Sequence, residues 1–158
     1  MKEIKLMGGR VAIVDDEDYE RLTRRKRKWK LSTTGYAIRI RTIEGQRFNE
    51  HMHRLVINAP DGLYVDHING NPLDNRKDNL RLATHAQNTR NRKVSINKQV
   101  PYKGVRKSHN RFSAQIHGDG KWVYLGNFKT AEEAAIAYNN AAIKYFGGFA
   151  RLNELPSE

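Results

Sequence analysis

Between positions 66 and 88 lie polar residues whose types and spacing suit hydrolysis of a phosphodiester bond. The imidazole of His67 can take a proton from water near neutral pH once its tautomer and orientation are fixed. Asp66 brings a carboxylate and Asn88 an amide oxygen, and both are hard ligands that suit a magnesium-like ion. The amide of Asn79 can either orient the imidazole or pin the surrounding loop. Together these groups predict metal-assisted cleavage of a nucleic-acid backbone.

The composition points to the same class of partner. The chain has 158 residues, with 29 Lys and Arg against 17 Asp and Glu, and its net charge of +12 predicts a polyanionic partner, nucleic acid first. A merely solvated basic surface is the alternative interpretation of this charge. Because the chain has no cysteine, disulfides and thiolate zinc sites are excluded, and oxygen and imidazole must hold any metal. No signal peptide or membrane span is recognisable, so we expect a soluble cytoplasmic protein.

The candidate residues fall on a predicted strand, loop, strand and helix. The segment GLYVDH reads as a short apolar strand, and residues 68–79 form a loop rich in turn-forming residues. The segment LRLA, residues 80–83, is a second short strand. Thr84, with Gln87 three residues on, has the capping-box signature of a helix N-terminus, which places Asn88 near the first turn of that helix.

The first fifty residues are expected to complete the sheet of this domain. The pattern predicts a strand at residues 11–14, a short helix that begins with acidic residues, and strands between residues 29 and 43. The densest basic run, RLTRRKRKWK at residues 21–30, is interpreted either as a phosphate-binding border of that sheet or as a solvated face.

The last third of the chain has a different pattern. Phe112, Ala114 and Ile116 alternate with polar residues, and the alternation continues after a Gly-Asp-Gly turn, which predicts an antiparallel hairpin with one apolar face. A helix follows, with a capping box at Thr130 and a stop at Gly147 or Gly148. One helix can cover only one face of a small sheet, so the other face is left free to bind.

Four motifs resemble the H-N-H endonucleases of the His-Me finger superfamily, in particular the homing-type subgroup of phages and introns. They are HRLV at 53–56, VDHING at 65–70, DNLR at 78–81 and QNTRN at 87–91. The resemblance implies a ββα-metal nuclease domain, which we place at residues 1–93.

The same resemblance assigns roles. It makes His67 the general base, Asp66 and Asn88 the ligands of one Mg²⁺ or Mn²⁺ ion, and Asn79 the support of the loop and of His67. Many H-N-H enzymes have histidine where this chain has Asn88, a departure that the homing-type subgroup shares. We expect His53 to be a packed, satisfied framework residue, and the approach of His85 to the metal or a phosphate is left open.

Residues 102–155 resemble the plant ethylene-response-factor, or Apetala, type of DNA-binding domain, on the motifs GVR, LGNF, TAEEAAIAY and ARLN. This resemblance implies a three-stranded antiparallel sheet packed on one helix, with the sheet in the major groove of DNA. Residues 94–101 are then a basic linker. The alternative is that Trp122 and Tyr124 pack on the N-terminal domain. Carried over by position, the residues facing DNA are Lys103, Arg106, Arg111, Gln115, His117, Trp122 and Tyr124.

The sequence therefore predicts an α+β protein of two domains that acts as a metal-dependent DNA endonuclease. Its partner is duplex DNA, it needs no small-molecule cofactor beyond the metal, and a monomer with one site is expected to nick. The main alternative is a non-catalytic, sequence-specific DNA-binding regulator. A nuclease or binder of RNA is disfavoured, because the narrow A-form major groove does not admit a sheet.

Overall fold

The structure is a computed structural model, and it describes residues 1–24, 27–91 and 100–156. The chain divides into two compact units, Met1–Asn88 and Thr89–Glu158. The expected mixture of helices and small antiparallel sheets is confirmed. The predicted limit of the first domain at residue 93 and most of the predicted linker, residues 94–99, lie outside the described residues. Within the described ranges, no helix is long and apolar enough to cross a membrane.

The first unit is assembled from short elements. Strands β1 (Lys2–Lys5) and β2 (Val11–Val14) form a ribbon that leads into helix α1 (Asp16–Thr23). A second antiparallel sheet has the order β3 (Lys30–Leu31), β4 (Ala37–Ile43), β5 (Gln46–His51), and helix α2 (Met52–Val56) follows it. Strands β6 (Tyr64–His67) and β7 (Leu80–Ala83) then pair with each other, and helix α3 (His85–Arg90) begins directly after them. The division between the units falls inside α3.

One apolar core holds these thin sheets together. It is centred on side chains with almost no exposure, among them Val14, Leu22 and Met52, and it includes Val65 and Leu80 from β6 and β7. A two-stranded ribbon is only marginally stable by itself, so β6 and β7 depend on this core for their position. Met52 and Val56 anchor α2 in the same core, which fixes the residues that lie between them.

The second unit is a sheet of three antiparallel strands in contact with a helix. The strand order is β10 (Lys121–Phe128), β9 (Arg111–Gly118), β8 (Val105–Ser108), and helix α4 (Ala131–Phe146) follows in the chain. The predicted hairpin and capping box are confirmed: Glu133 N donates to Thr130 Oγ1 at 3.1 Å, and Glu133 Oε2 accepts from Thr130 N at 3.3 Å. Alanines of α4, such as Ala134 and Ala135, are fully buried, so the helix lies close to its neighbours.

Gly104, which precedes β8, lies close to Tyr138 of α4. Its φ of +74° is unfavourable for other residues, and a Cβ at this position would lie 2.1 Å from the ring of Tyr138 and 2.6 Å from the carbonyl oxygen of Gln115. The main-chain oxygen of Gly104 also accepts from Gln115 N at 2.8 Å. Any larger residue therefore forces apart the sheet and the helix.

We predict that Gly104→Ala destabilises the protein far more than Gly120→Ala does. Gly120 has a similar φ of +80° but open space around its Cβ position, so both variants share a backbone cost of about 1–2 kcal/mol. The overlap with Tyr138 should add about 1–3 kcal/mol in Gly104→Ala only. Urea unfolding followed by far-UV circular dichroism measures both, and equal losses of unfolding free energy would contradict the prediction.

Candidate functional site

Asp66 and His67 are the last two residues of β6, and both are buried. Because successive residues of a strand point to opposite faces, the two side chains have different surroundings. Asp66 faces Arg81, its register partner in β7, and Arg81 Nε and Nη2 lie 2.7 and 2.6 Å from Asp66 Oδ2. His67 lies instead against the rings of Tyr36 and His53.

Asn79 closes the loop that joins β6 to β7. Its Nδ2 donates to the carbonyl oxygen of Asp74 at 2.8 Å, and its Oδ1 accepts from Asn69 N at 3.0 Å. Its main-chain oxygen accepts from Ile68 N at 2.9 Å. The sequence left two roles open for this amide, to orient the imidazole of His67 or to hold the loop in place. These contacts hold the loop in place. The loop in turn carries the residue that contacts His67.

Asn75 is that residue, and it was not among the predicted site residues. It is completely buried, its main-chain N donates to Ile13 O at 2.8 Å, and its Oδ1 lies 3.5 Å from His67 Nε2. Next to it, Asp74 accepts from Arg76 Nε and Nη2 at 2.8 Å each, and this pairing lowers the pKa of the Asp74 carboxyl. The loop is thus held by a network of charge and amide contacts beside the imidazole.

His53 is the centre of a cluster of rings. We call Tyr36, His51, His53 and His67 the ring cluster. His53 lies 5.0 Å from Tyr36, 5.3 Å from His51 and 5.3 Å from His67 between ring centroids. The rings of His53 and His67 are nearly perpendicular, at 88°. His53 is therefore in contact with each of the other rings, including that of the predicted base.

The predicted satisfied framework histidine is packed but not satisfied. His53 is 7% exposed, and its Nδ1 has no hydrogen-bond partner among the described residues. Burial, reinforced by the positive charge that His67, His51 and Arg54 can carry, lowers the pKa of His53 to about 3. Burial also lowers the pKa of His67, partly offset by Asn75, Asp66 and Asp74. Both imidazoles are consequently uncharged at neutral pH.

Helix α3 places Asn88 as predicted from its cap. Thr84 N donates to Gln87 Oε1 at 2.8 Å and Gln87 N donates to Thr84 Oγ1 at 3.3 Å, so the capping box is confirmed. Asn88 is half-buried, and its main-chain N donates to Thr84 O at 3.0 Å. The exposed ring of His85 packs against Tyr64, with centroids 5.3 Å apart. Within the described ranges, no group of three or more His, Asp or Glu side chains could hold a metal ion.

A second set of predicted residues is brought together on the outer face of the second unit's sheet. Trp122 lies opposite His117, and Tyr124 lies opposite Gln115. Both aromatic side chains are 63% exposed. With its amide oxygen turned toward Arg106, Gln115 accepts from Nε and Nη2 at 3.3 and 3.2 Å. We call this surface the sheet face; its predicted members are Arg106, Arg111, Gln115, His117, Trp122 and Tyr124.

Lys103 is placed differently from the rest of its predicted set. It precedes β8 and does not lie on the sheet face, and its Nζ donates to the carbonyl oxygen of Arg90 at 2.5 Å. Its main-chain N donates to Asn153 Oδ1 at 2.6 Å. Burial is the main cause that lowers the pKa of its ammonium, and the positive charge of the nearby Arg151 lowers it further. These contacts give Lys103 a role inside the second unit.

Comparison with known proteins matches this chain to nucleases. The HNH endonuclease family profile matches residues 51–90, which run from the end of β5 to the end of α3. An uncharacterized HNH endonuclease of Acanthamoeba polyphaga mimivirus is 38% identical over 133 residues, which cover 82% of this chain and 68% of that protein.

The chain belongs to the HNH endonuclease family. Protein 3.8 of Escherichia phage T7 is 44% identical over 95 residues, covering 59% of this chain and 78% of the phage protein. An AP2/ERF and B3 domain-containing transcription factor of Arabidopsis thaliana is 40% identical over 73 residues, covering 46% of this chain but only 20% of the plant factor. Both resemblances recognised in the sequence are thereby confirmed: an HNH endonuclease domain and an AP2-type DNA-binding domain.

The profile match contains every residue proposed for the nuclease chemistry, but Tyr36 lies outside it. Asn75 lies within the profile match but was hidden among several asparagines of similar turn propensity. The HRLV motif drew attention to His53, but nothing in the nearby sequence indicated that the His53 ring would contact the ring of His67. These contacts join residues far apart in the chain, which local patterns do not specify.

We predict that the HNH endonuclease loses stability as the pH falls below about 6.5, with His53 as the main source. The unfolded chain binds a proton at His53 near the ordinary pKa of 6.5, whereas the folded chain does so only near pH 3. Between these values the unfolded state holds more protons, so acid lowers the free energy of unfolding, by roughly 2–3 kcal/mol at pH 4.5.

Urea unfolding between pH 7.5 and 4.5 measures this loss. In the plot of unfolding free energy against pH, the decline between pH 7.5 and 4.5 is the acid limb. His53→Phe should flatten this limb, because phenylalanine keeps the ring and cannot be protonated. His85→Phe, which replaces an exposed histidine of the same unit, is the control and should leave the limb as in wild type. Parallel limbs for wild type and His53→Phe would refute the assignment of the effect to His53.

Proposed function

We propose that this HNH endonuclease is a metal-dependent DNA nuclease that cuts one strand per engagement and is directed to its sites by the sheet face. The observation that carries the proposal is the buried imidazole of His67 at the end of β6, beside a loop that Asn79 holds closed; burial lowers the pKa of this imidazole. A protein that only binds DNA has no use for such an arrangement. The ββα-metal arrangement assigned to β6, β7 and α3 belongs to the same proposal.

His67 acts as the general base. Its imidazole removes a proton from water, the water oxygen bonds to phosphorus, and the P–O bond to the leaving sugar oxygen breaks. The leaving oxygen then takes a proton from solvent. Asn75, whose Oδ1 lies 3.5 Å from Nε2, contributes to the orientation of the imidazole for this transfer. Because burial holds the pKa of His67 down, the base is available at neutral pH.

Asp66 and Asn88 would hold a divalent metal by their oxygen atoms. Both residues belong to the first unit, and a carboxylate with an amide oxygen suits Mg²⁺ or Mn²⁺, which retain waters and bind substrate phosphate. When bound, such an ion stabilises the negative charge on the phosphate and on the leaving oxygen. The negative charge of the buried Asp66 carboxylate is balanced by Arg81, whose Nη2 lies 2.6 Å from Oδ2. This pairing allows the carboxylate to be buried when no metal is bound.

The sheet face supplies the site preference. Two exposed aromatic rings with an arginine and an amide are suited to contact base edges and phosphates, as in other sheets that enter the major groove. Because the two units belong to one chain, DNA bound by the second unit has a high local concentration at the nuclease site. A weak nuclease therefore prefers the DNA sites that the second unit binds. A net charge of +12 supports the same partner.

The first test asks whether the site is catalytic. We expect wild type to convert supercoiled plasmid to the open-circle form with Mg²⁺ or Mn²⁺ and not with EDTA, and His67→Ala to lose this activity while its DNA affinity stays within about 2-fold of wild type. His85→Ala, a nearby histidine outside the proposed machinery, is the control. Tight binding by wild type without conversion under any metal would instead favour the non-catalytic regulator.

The second test concerns the sheet face. We predict that Arg106→Ala weakens DNA binding and site discrimination by about 5-fold or more, whereas Lys107→Ala has a smaller effect on both. The two variants remove the same charge from neighbouring positions of β8, and only Arg106 lies on the sheet face. Gel-shift titrations with specific and random duplexes measure the effect, and a structured RNA competitor is included. Equal losses, or preference for the RNA, would exclude the proposed reading surface.

A further inference from the structure

The ring cluster contains a residue to which the chemistry above gives no role. His53 is held by α2, whose flanking residues Met52 and Val56 are anchored in the apolar core. It faces the His67 ring at a centroid distance of 5.3 Å and an angle of 88°. This perpendicular geometry is one of the two that aromatic rings prefer.

We propose that His53 is a positioning residue: its ring, set edge-to-face on His67, holds the imidazole of the general base in the orientation that removes a proton from water. This inference rests on the proposed function of His67. His53 itself touches neither water nor phosphate in the proposed reaction, so it is not a catalytic residue.

The contact with His53 differs in geometry from two other contacts of the His67 ring. Its polar contact with Asn75 is 3.5 Å long, at the limit of a hydrogen bond, and so constrains the ring weakly. Tyr36 lies 5.8 Å from His67 at a tilt of 37°, a looser contact than that of His53. The ring of His53 is the closest to perpendicular and is fixed by a helix. Packing against it therefore limits rotation about the Cβ–Cγ bond of His67.

The state of His53 agrees with this role. Its Nδ1 has no hydrogen-bond partner within the described ranges, although buried polar atoms are almost always satisfied. An unpaired buried polar atom lowers stability, and the ring contact with His67 is one reason for a histidine at this position. As an uncharged ring, His53 can lie against His67 without charge repulsion.

The test compares three variants with wild type in single-turnover cleavage of plasmid at saturating enzyme. His53→Ala should lower the rate constant by about 10- to 100-fold, because a small misplacement of a reacting group has effects of this size. The enzyme concentration at half-saturation should change by less than about 2-fold, since no DNA contact is lost. His53→Phe keeps the ring and should restore the rate to within about 3-fold of wild type.

His51→Ala is the matched control. His51 lies in the same cluster, in contact with His53 at 5.3 Å, but it is only half-buried and is not the ring that packs perpendicular to His67. Its rate constant should stay within about 3-fold of wild type. A loss in His53→Ala no larger than in His51→Ala would overturn the proposal. A loss in His53→Phe as large as in His53→Ala would show that the nitrogens act and the ring contact does not.

A second readout is independent of cleavage. NMR relaxation of the His67 ring ¹³C reports its motion directly, and we expect a rigid ring in wild type and His53→Phe but a more mobile ring in His53→Ala. Unchanged relaxation in His53→Ala overturns the positioning role. If wild type fails to cleave with any metal, the proposed function is wrong, while the relaxation experiment still decides whether His53 holds the His67 ring.

Discussion

The candidate nuclease site depends on the hydrogen bonds that the side chain of Asn79 makes to its loop. Strands β6 and β7 are four residues each, too short to hold a buried aspartate and histidine by their own pairing. By bonding to the main chain of Asn69 and Asp74, Asn79 converts the long connection between them into a fixed structure. That structure brings Asn75 to His67.

Some parts of the fold could be predicted from the sequence because their signals are local, and others could not because they depend on contacts between distant segments. Elements with a local signal were predicted well: the hairpin of β9 and β10 from its alternation, and the starts of α3 and α4 from their capping boxes. Strand β5, Gln46–His51, was not predicted, because its residues are mostly polar and exposed and do not alternate. It forms through its pairing with β4, which the sequence of β5 itself does not specify.

The candidate site divides in the same way. The residues proposed for catalysis and metal binding could be recognised in one short segment, because turn-forming residues and a helix cap lie between and beside them. The ring cluster could not, because Tyr36 comes from the chain before β4 and His53 from α2, and each meets His67 only through the tertiary fold. Lys103 was assigned to DNA by its position in the resembling domain, and that prediction could not include the contact that its ammonium makes with the carbonyl oxygen of Arg90.

The two proposed functional surfaces follow opposite physical rules. The sheet face exposes Trp122 and Tyr124 to water, and exposed aromatic groups of this kind are typical of surfaces that a partner covers. The candidate nuclease site instead buries polar groups, and each must be paired or kept uncharged. Arg81 pairs with Asp66, whereas His53 stays neutral and leaves Nδ1 without a partner in the described residues. A candidate site built in this way loses stability in acid, because His53 stays uncharged in the folded chain and binds a proton once the chain unfolds.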